Sequence, residues 1–134
     1  GLAALRDPTV RHVAIANPDL APYGAAARQV LRRLGLWNAL AARIVTGQNV
    51  GHTLSLVASG AAEMGFVARS AVVGPGRAER GSRWDVPRAL HDPIRQAAVL
   101  LEPGRDDAVA RDFLAFLQSE TARGVIRRYG YEVP

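Results

Sequence analysis

Cysteine and lysine are both absent from this 134-residue chain. Without cysteine there are no disulfides and no thiol chemistry, although the compartment stays undecided. Without lysine there is no phosphate-binding loop of the GxxxxGK[ST] type. Long hydrophobic runs are missing too, and none approaches the roughly 20 residues that span a bilayer. Gly1–Leu5 lacks the basic start and long apolar centre of a signal peptide, so the chain's address must come from elsewhere. No GxSxG motif or Ser–His–acid set is present, and Ser55, Ser59, Ser70, Ser82 and Ser119 read as helix, cap or turn residues. His12, His52 and His91 are far apart, without HxxxH or HExxH spacing, which argues against a metal held directly by side chains. Glu63, Asp85, Glu102, Asp106 and Asp107 read as caps or solvated charges in loops and near helix starts. These absences argue against an enzyme.

The net charge is +5, and all of the basic side chains except the histidines are arginine. They are scattered, with Arg32-Arg33 and Arg127-Arg128 as the tightest pairs. A nucleic-acid binder concentrates charge on a stripe, so no nucleic-acid partner is expected. A positive balance still favours attraction of a small anion.

Apolar residues make up 49%, enough for a real core in a compact domain of this size. Arg11–Ala16 reads as a strand, Pro22–Leu34 as a helix ended by Gly35, and Leu36–Ala42 as a short helix. Arg43–Thr46 is the next strand. Asn49 caps a helix over Val50–Ala58, with Leu54, Val57 and Ala58 inward and Ser59-Gly60 as its stop. Met64–Ala68 is a buried strand. Val73–Arg83, rich in Gly, Arg and Pro, reads as an exposed mobile loop, and Trp84–Pro87 as an extended piece. Trp37 and Trp84 read as packing residues, with Trp84 also suited to an interface. Arg95–Leu101 reads as a strand. A helix begins at Asp106 or Asp107 with Val109, Phe113, Leu114 and Leu117 apolar, and Ser119 caps a last helix that Gly130 ends.

The alternation of strands and helices predicts an α/β fold. It is a mostly parallel sheet flanked by helices, in which ligands bind at the carboxyl ends of strands. Two helix starts fall at that edge. One is Ala21-Pro22-Tyr23-Gly24, with proline at a first helical position and small residues after it. The other is Gly47-Gln48-Asn49-Val50-Gly51. A helix start carries unpaired N–H donors and a partial positive charge, which suits an anion. His52 is near enough to the second start to approach a ligand, while its plainer reading is an exposed helix residue. Tyr23 equally suits a rim position packed on its loop.

Several blocks carry a family resemblance. Ala14–Pro18 through Ala21–Ala26, Leu34–Trp37, Gly47–Val50, Val57–Ala68 and Arg128–Tyr131 occur in one order and cover nearly the whole chain. Together they resemble the molybdate-binding periplasmic proteins of bacterial ABC importers. The resemblance implies a three-layer α/β/α lobe of the type II periplasmic-binding-protein class. Its ligand is a molybdate or tungstate oxyanion, with no cofactor, and its further partner is the importer's membrane permease. It implies main-chain N–H donors at Tyr23 and Val50, with Pro22, Gly24, Asn49 and Gly51 as lining. Some members add a tyrosine hydroxyl where this chain has Ala68, so that contact is absent here.

Family members are nearly twice as long, and the part without a counterpart is their N-terminal half. The resemblance therefore implies that residues 1–98 form the second lobe, and that 99–134 form a crossover strand and helices that return to a first lobe. The chain would hold about half of the oxyanion shell, with self-association or lobe exchange a consequence of the uncovered helices. The alternatives are the effector-binding lobe of a transcriptional regulator, for which no helix-turn-helix is present in this chain, and a binder of another tetrahedral oxyanion such as sulfate.

Overall fold

A short apolar strand between two prolines organises the fold. In the computed structural model, which describes residues 1–76 and 81–133, β1 runs over Val13–Ala16 with all four residues buried. It is the central strand of a parallel sheet ordered β2-β1-β3, with β2 at Ile44–Gly47 and β3 at Met64–Gly65. Val13 pairs with Ile44 and with Met64, and Ala16 pairs with Gly47. A strand buried on both faces and paired on both edges has no use for polar side chains, which is why Val-Ala-Ile-Ala is continuous rather than alternating.

The crossovers are helical. β1 leads into α2 (Pro22–Arg33), and β2 leads into α4 (Val50–Ala58). One crossover moves to the left of β1 and the other to its right. Right-handed connections then place the two helices on opposite faces, giving three α/β/α layers. Gly24, Ala27, Val30 and Leu31 form the buried stripe of α2, at helical spacing. The helix ends as the sequence predicts, with Gly35 at φ +69°, a conformation glycine adopts without cost. After it come α3 (Trp37–Leu40) and a 3-10 turn at Ala41–Arg43. A short helix at the start, α1 (Leu2–Arg6), was not anticipated; its Leu5 joins Val13, Leu31 and Leu40 in the core. Trp37 and Trp84 pack against the same cluster, and Arg32 lies 5.9 Å over the Trp37 ring.

Three expectations need correction. On α4 the fully buried residue is Thr53; Leu54 and Val57 are half-buried and Ala58 is exposed. The β3 ladder is shorter than Met64–Ala68, spanning Met64–Gly65 with one further bond from Phe66 N–H to the Ala14 carbonyl at 2.9 Å. The third correction concerns Arg95–Leu101, which is not a strand: it makes no ladder among the described residues, and Val99 and Leu101 are exposed. An apolar run becomes a strand only where a partner edge satisfies its backbone.

By contacts, the chain forms two compact units, residues 1–68 with 80–94, and residues 69–79 with 95–134. The first unit contains the whole sheet. Its return segment is held on α2 by Gln29 and Asp92, which exchange two bonds of 2.8 Å, and by Arg33, which donates to Asp92 at 3.2 Å and to the Ala89 carbonyl at 3.1 Å.

The second unit contains α5 (Arg69–Val72), α6 (Ala108–Leu117) and α7 (Glu120–Arg128). Asp107 and Ser119 cap α6 and α7 with their side chains, and Gly130 ends α7 at φ +81°. The Tyr131 hydroxyl accepts from Ser70 at 3.0 Å. The loop expected over Val73–Arg83 includes residues 77–80, which lie outside the described residues, as does Pro134.

Candidate anion-binding site

Two strand-to-helix corners lie side by side at the carboxyl edge of the sheet. Ala16 and Gly47 are register partners, and Asn17 N–H donates to the Gly47 carbonyl at 2.9 Å, one step beyond the strand ends. Pro22 and Val50 open their helices within a few residues of that bond.

The first corner is built from its own backbone. Asn17 Oδ1 accepts from Asp19 N–H at 2.9 Å, and the Asn17 carbonyl accepts from Ala21 N–H at 2.9 Å. Arg28, one helical turn or more along α2, pairs with Asp19 at 2.7 Å and donates to the Pro18 carbonyl at 3.3 Å. The loop's only carboxylate is thereby matched by a guanidinium. Ala21 provides no side-chain cap, and Pro22 has no N–H, so the first donors of α2 belong to Tyr23 and Gly24. Gly24 is a steric requirement: a Cβ there would overlap the Ala16 carbonyl oxygen and come within 2.6 Å of that of Asn17. That contact seats the helix start directly on the end of β1.

The second corner follows the same plan. Gly47 is buried, and a Cβ on it would lie 2.7 Å from Thr53 Oγ1 and 2.9 Å from Thr53 N. Thr53 Oγ1 donates to the Asn49 carbonyl at 2.9 Å, while Asn49 Oδ1 accepts from His52 N–H at 2.8 Å. The cap satisfies the third amide of α4. The N–H groups of Val50 and Gly51, ahead of it, find no acceptor among the described residues.

The site residues expected from the sequence thus fall in two adjacent turns. Pro22, Asn49 and Gly51 are exposed, Tyr23 and Val50 half-buried, and Gly24 buried. His52 is at the corner, but its Nδ1 accepts from Gln48 N–H at 3.3 Å. His12 and His91 lie elsewhere: His12 lies 3.6 Å from Glu63 at the opposite strand end, and His91 Nδ1 is 2.8 Å from the Asp92 carbonyl oxygen. No group of metal-ligating side chains occurs among the described residues. Ala68 is buried, with no hydroxyl to offer. Sequence reasoning missed Thr53. Its signal was a β-branched hydroxyl four residues after an asparagine cap, the position from which it reaches the cap's carbonyl.

A hollow outside this site is lined by Leu2, Ala3, Arg6, Asp7 and Pro8, which precede β1 and so lie away from the carboxyl edge. A charged oxyanion needs donors rather than a large apolar cavity, so the two helix starts are the stronger candidate.

Known proteins resemble this chain in sequence and in fold. The chain is 47% identical over 122 residues to the molybdate-binding protein ModA of Rhodobacter capsulatus, covering 91% of this chain and 47% of that protein. It is 45% identical to ModA of Azotobacter vinelandii, covering 96% of this chain and 51% of that one. The solved periplasmic molybdate-binding protein of Azotobacter vinelandii superposes with a TM-score of 0.89 at 39% identity, over 97% of this chain and 57% of its own. A transporter substrate-binding domain from Clostridium difficile superposes at 0.76 with 27% identity, over 100% of this chain and 58% of its own. The chain spans about half the length of the curated relatives it matches. Its match to the family model extends over residues 1–132, and the chain belongs to the bacterial extracellular solute-binding proteins.

Proposed function

We propose that this chain is the second lobe of a molybdate- or tungstate-binding protein that serves an ABC importer outside the cytoplasm, in the periplasm. Its role is binding rather than catalysis. The observation that carries the reading is the bond from Asn17 to Gly47, which holds two helix starts without acidic first turns at one sheet edge. Main-chain donors at Tyr23 and Val50, lined by Pro22, Gly24, Asn49 and Gly51, suit a tetrahedral dianion: neutral donors and helix dipoles stabilise it, and a rigid frame senses its size. The ModA relatives, named for molybdate, support that choice.

In this reading residues 1–98 form the lobe and 99–134 form the strap toward a first lobe, which supplies the remaining donors and closes over the ligand. The membrane permease is the other partner. A thermal-shift panel on the full-length gene product tests the proposal. Molybdate and tungstate raise the melting temperature, whereas sulfate and phosphate leave it unchanged. An equal shift with sulfate would replace the ligand assignment, and no shift with any oxyanion would overturn it.

A further inference from the structure

The start of α4 carries a reciprocal pair of side-chain caps. Asn49 Oδ1 accepts from His52 N–H at 2.8 Å, and His52 Nδ1 accepts from Gln48 N–H at 3.3 Å. This is the logic of a capping box, in which the cap and the third helical residue each satisfy an amide at the other's end. Two details differ. The third residue reaches the amide before the cap rather than the cap's own. It is also an imidazole, where the motif normally has a carboxylate or its amide. Accepting from Gln48 uses the lone pair on Nδ1, which an imidazole offers without bringing a carboxylate to the turn.

We infer that His52 is a cap without a carboxylate that positions the Gln48–Gly51 turn for an anion, where a glutamate would close the same turn but set a carboxylate beside the ligand. The inference rests on the oxyanion reading of this corner and deepens it. A carboxylate in the first turn is attracted by the same positive helix end that would attract the ligand, and the two compete. The distribution of acids along the chain fits. Neither α2 nor α4 has an acid at its cap or in its first turn, whereas Asp107 caps α6 and Glu120 opens α7. The single carboxylate in the neighbouring loop, Asp19, is matched by Arg28 at 2.7 Å.

The test is calorimetric titration of the full-length gene product with molybdate, beside its melting temperature and the exchange rate of the Gln48 amide. His52→Gln, a neutral acceptor, keeps affinity and Gln48 protection close to the unsubstituted protein. His52→Glu keeps or raises the melting temperature yet weakens molybdate by about tenfold or more, through repulsion of a dianion at close range. His52→Ala speeds Gln48 exchange and weakens molybdate less than the glutamate does. A glutamate variant that binds as tightly as the unsubstituted protein overturns the inference alone, as does a glutamine variant that loses as much as the glutamate. An unsubstituted protein that does not bind molybdate overturns the oxyanion reading, and this inference with it.

Discussion

Asn17 donates its backbone N–H to the carbonyl of Gly47 at 2.9 Å, one residue beyond the last ladder pair of β1 and β2. That bond continues the sheet into the turns and fixes the spacing of two helix starts. Everything at the candidate site depends on how closely those helices approach the strand ends, and glycine at 24 and at 47 permits the approach.

Gly24→Ala should therefore damage both fold and site. The new Cβ meets two carbonyl oxygens of the main chain, which cannot rotate away as a side chain would. Destabilisation of about 1–3 kcal/mol is expected from such overpacking. Urea unfolding of the two proteins measures it, and an unchanged midpoint would refute the close-approach account.

Thr53→Val probes the second corner. Shape is nearly kept, but the bond from Oγ1 to the Asn49 carbonyl is lost. That carbonyl still accepts from Thr53 N–H at 3.0 Å, so no acceptor is left orphaned. The expected cost is about 1 kcal/mol, the net worth of one hydrogen bond. Thr53→Ala should cost more, because Thr53 is fully buried and its methyl leaves a gap. Equal denaturation midpoints for the two variants would contradict this ranking.

Glu63 gives the chain an acid-sensitive contact. The His12 backbone N–H donating to its Oε2 at 2.7 Å is the chief cause that holds its carboxyl below the ordinary value of 4.5. The unfolded chain therefore takes up this proton at a higher pH than the folded one. The contribution is present above the ordinary carboxylate range and is lost as pH falls through the lowered folded value. Glu63→Gln should flatten the stability profile between about pH 5 and pH 3 relative to the unsubstituted chain. Parallel profiles in that window would rule the contact out.

Asp92→Ala releases the return segment from Gln29 and Arg33. Asp92 is largely exposed, so the loss in global stability should be small, within about 1 kcal/mol. Local opening is the sensitive readout. Limited trypsin digestion should cleave after Arg88 faster in the variant, and unchanged cleavage would show that the bonds do not restrain the segment.

On α6, Val109, Phe113 and Phe116 recur at helical spacing and all three are exposed. The 134-residue chain studied alone should self-associate through such apolar surface. Light scattering across a concentration series should show growth in mass, reduced by Phe113→Ser with Phe116→Ser. A constant monomer mass would refute this.

The strands, the two long crossover helices and their caps were legible because each rests on local chemistry. An apolar run between Pro8 and Pro18, proline at the start of α2, Asn49 before Val50, and glycine at 35 and 130 all act within one or two turns. Arg95–Leu101 misled for a related reason. Its composition suits a strand, but pairing is a property of two segments, and composition describes only one.

By itself, then, the sequence determined the order of elements, the parallel α/β class and the residues at the two helix starts, because propensity, capping and hydrophobic period are short-range effects. Tertiary structure alone decided that Asn17 meets Gly47, that Thr53 rather than Ala58 is the buried residue of α4, and that His52 turns its ring back to Gln48. Those outcomes depend on how closely helix packs on strand and on which polar atom finds a partner, and neither distance is fixed until the layers are assembled.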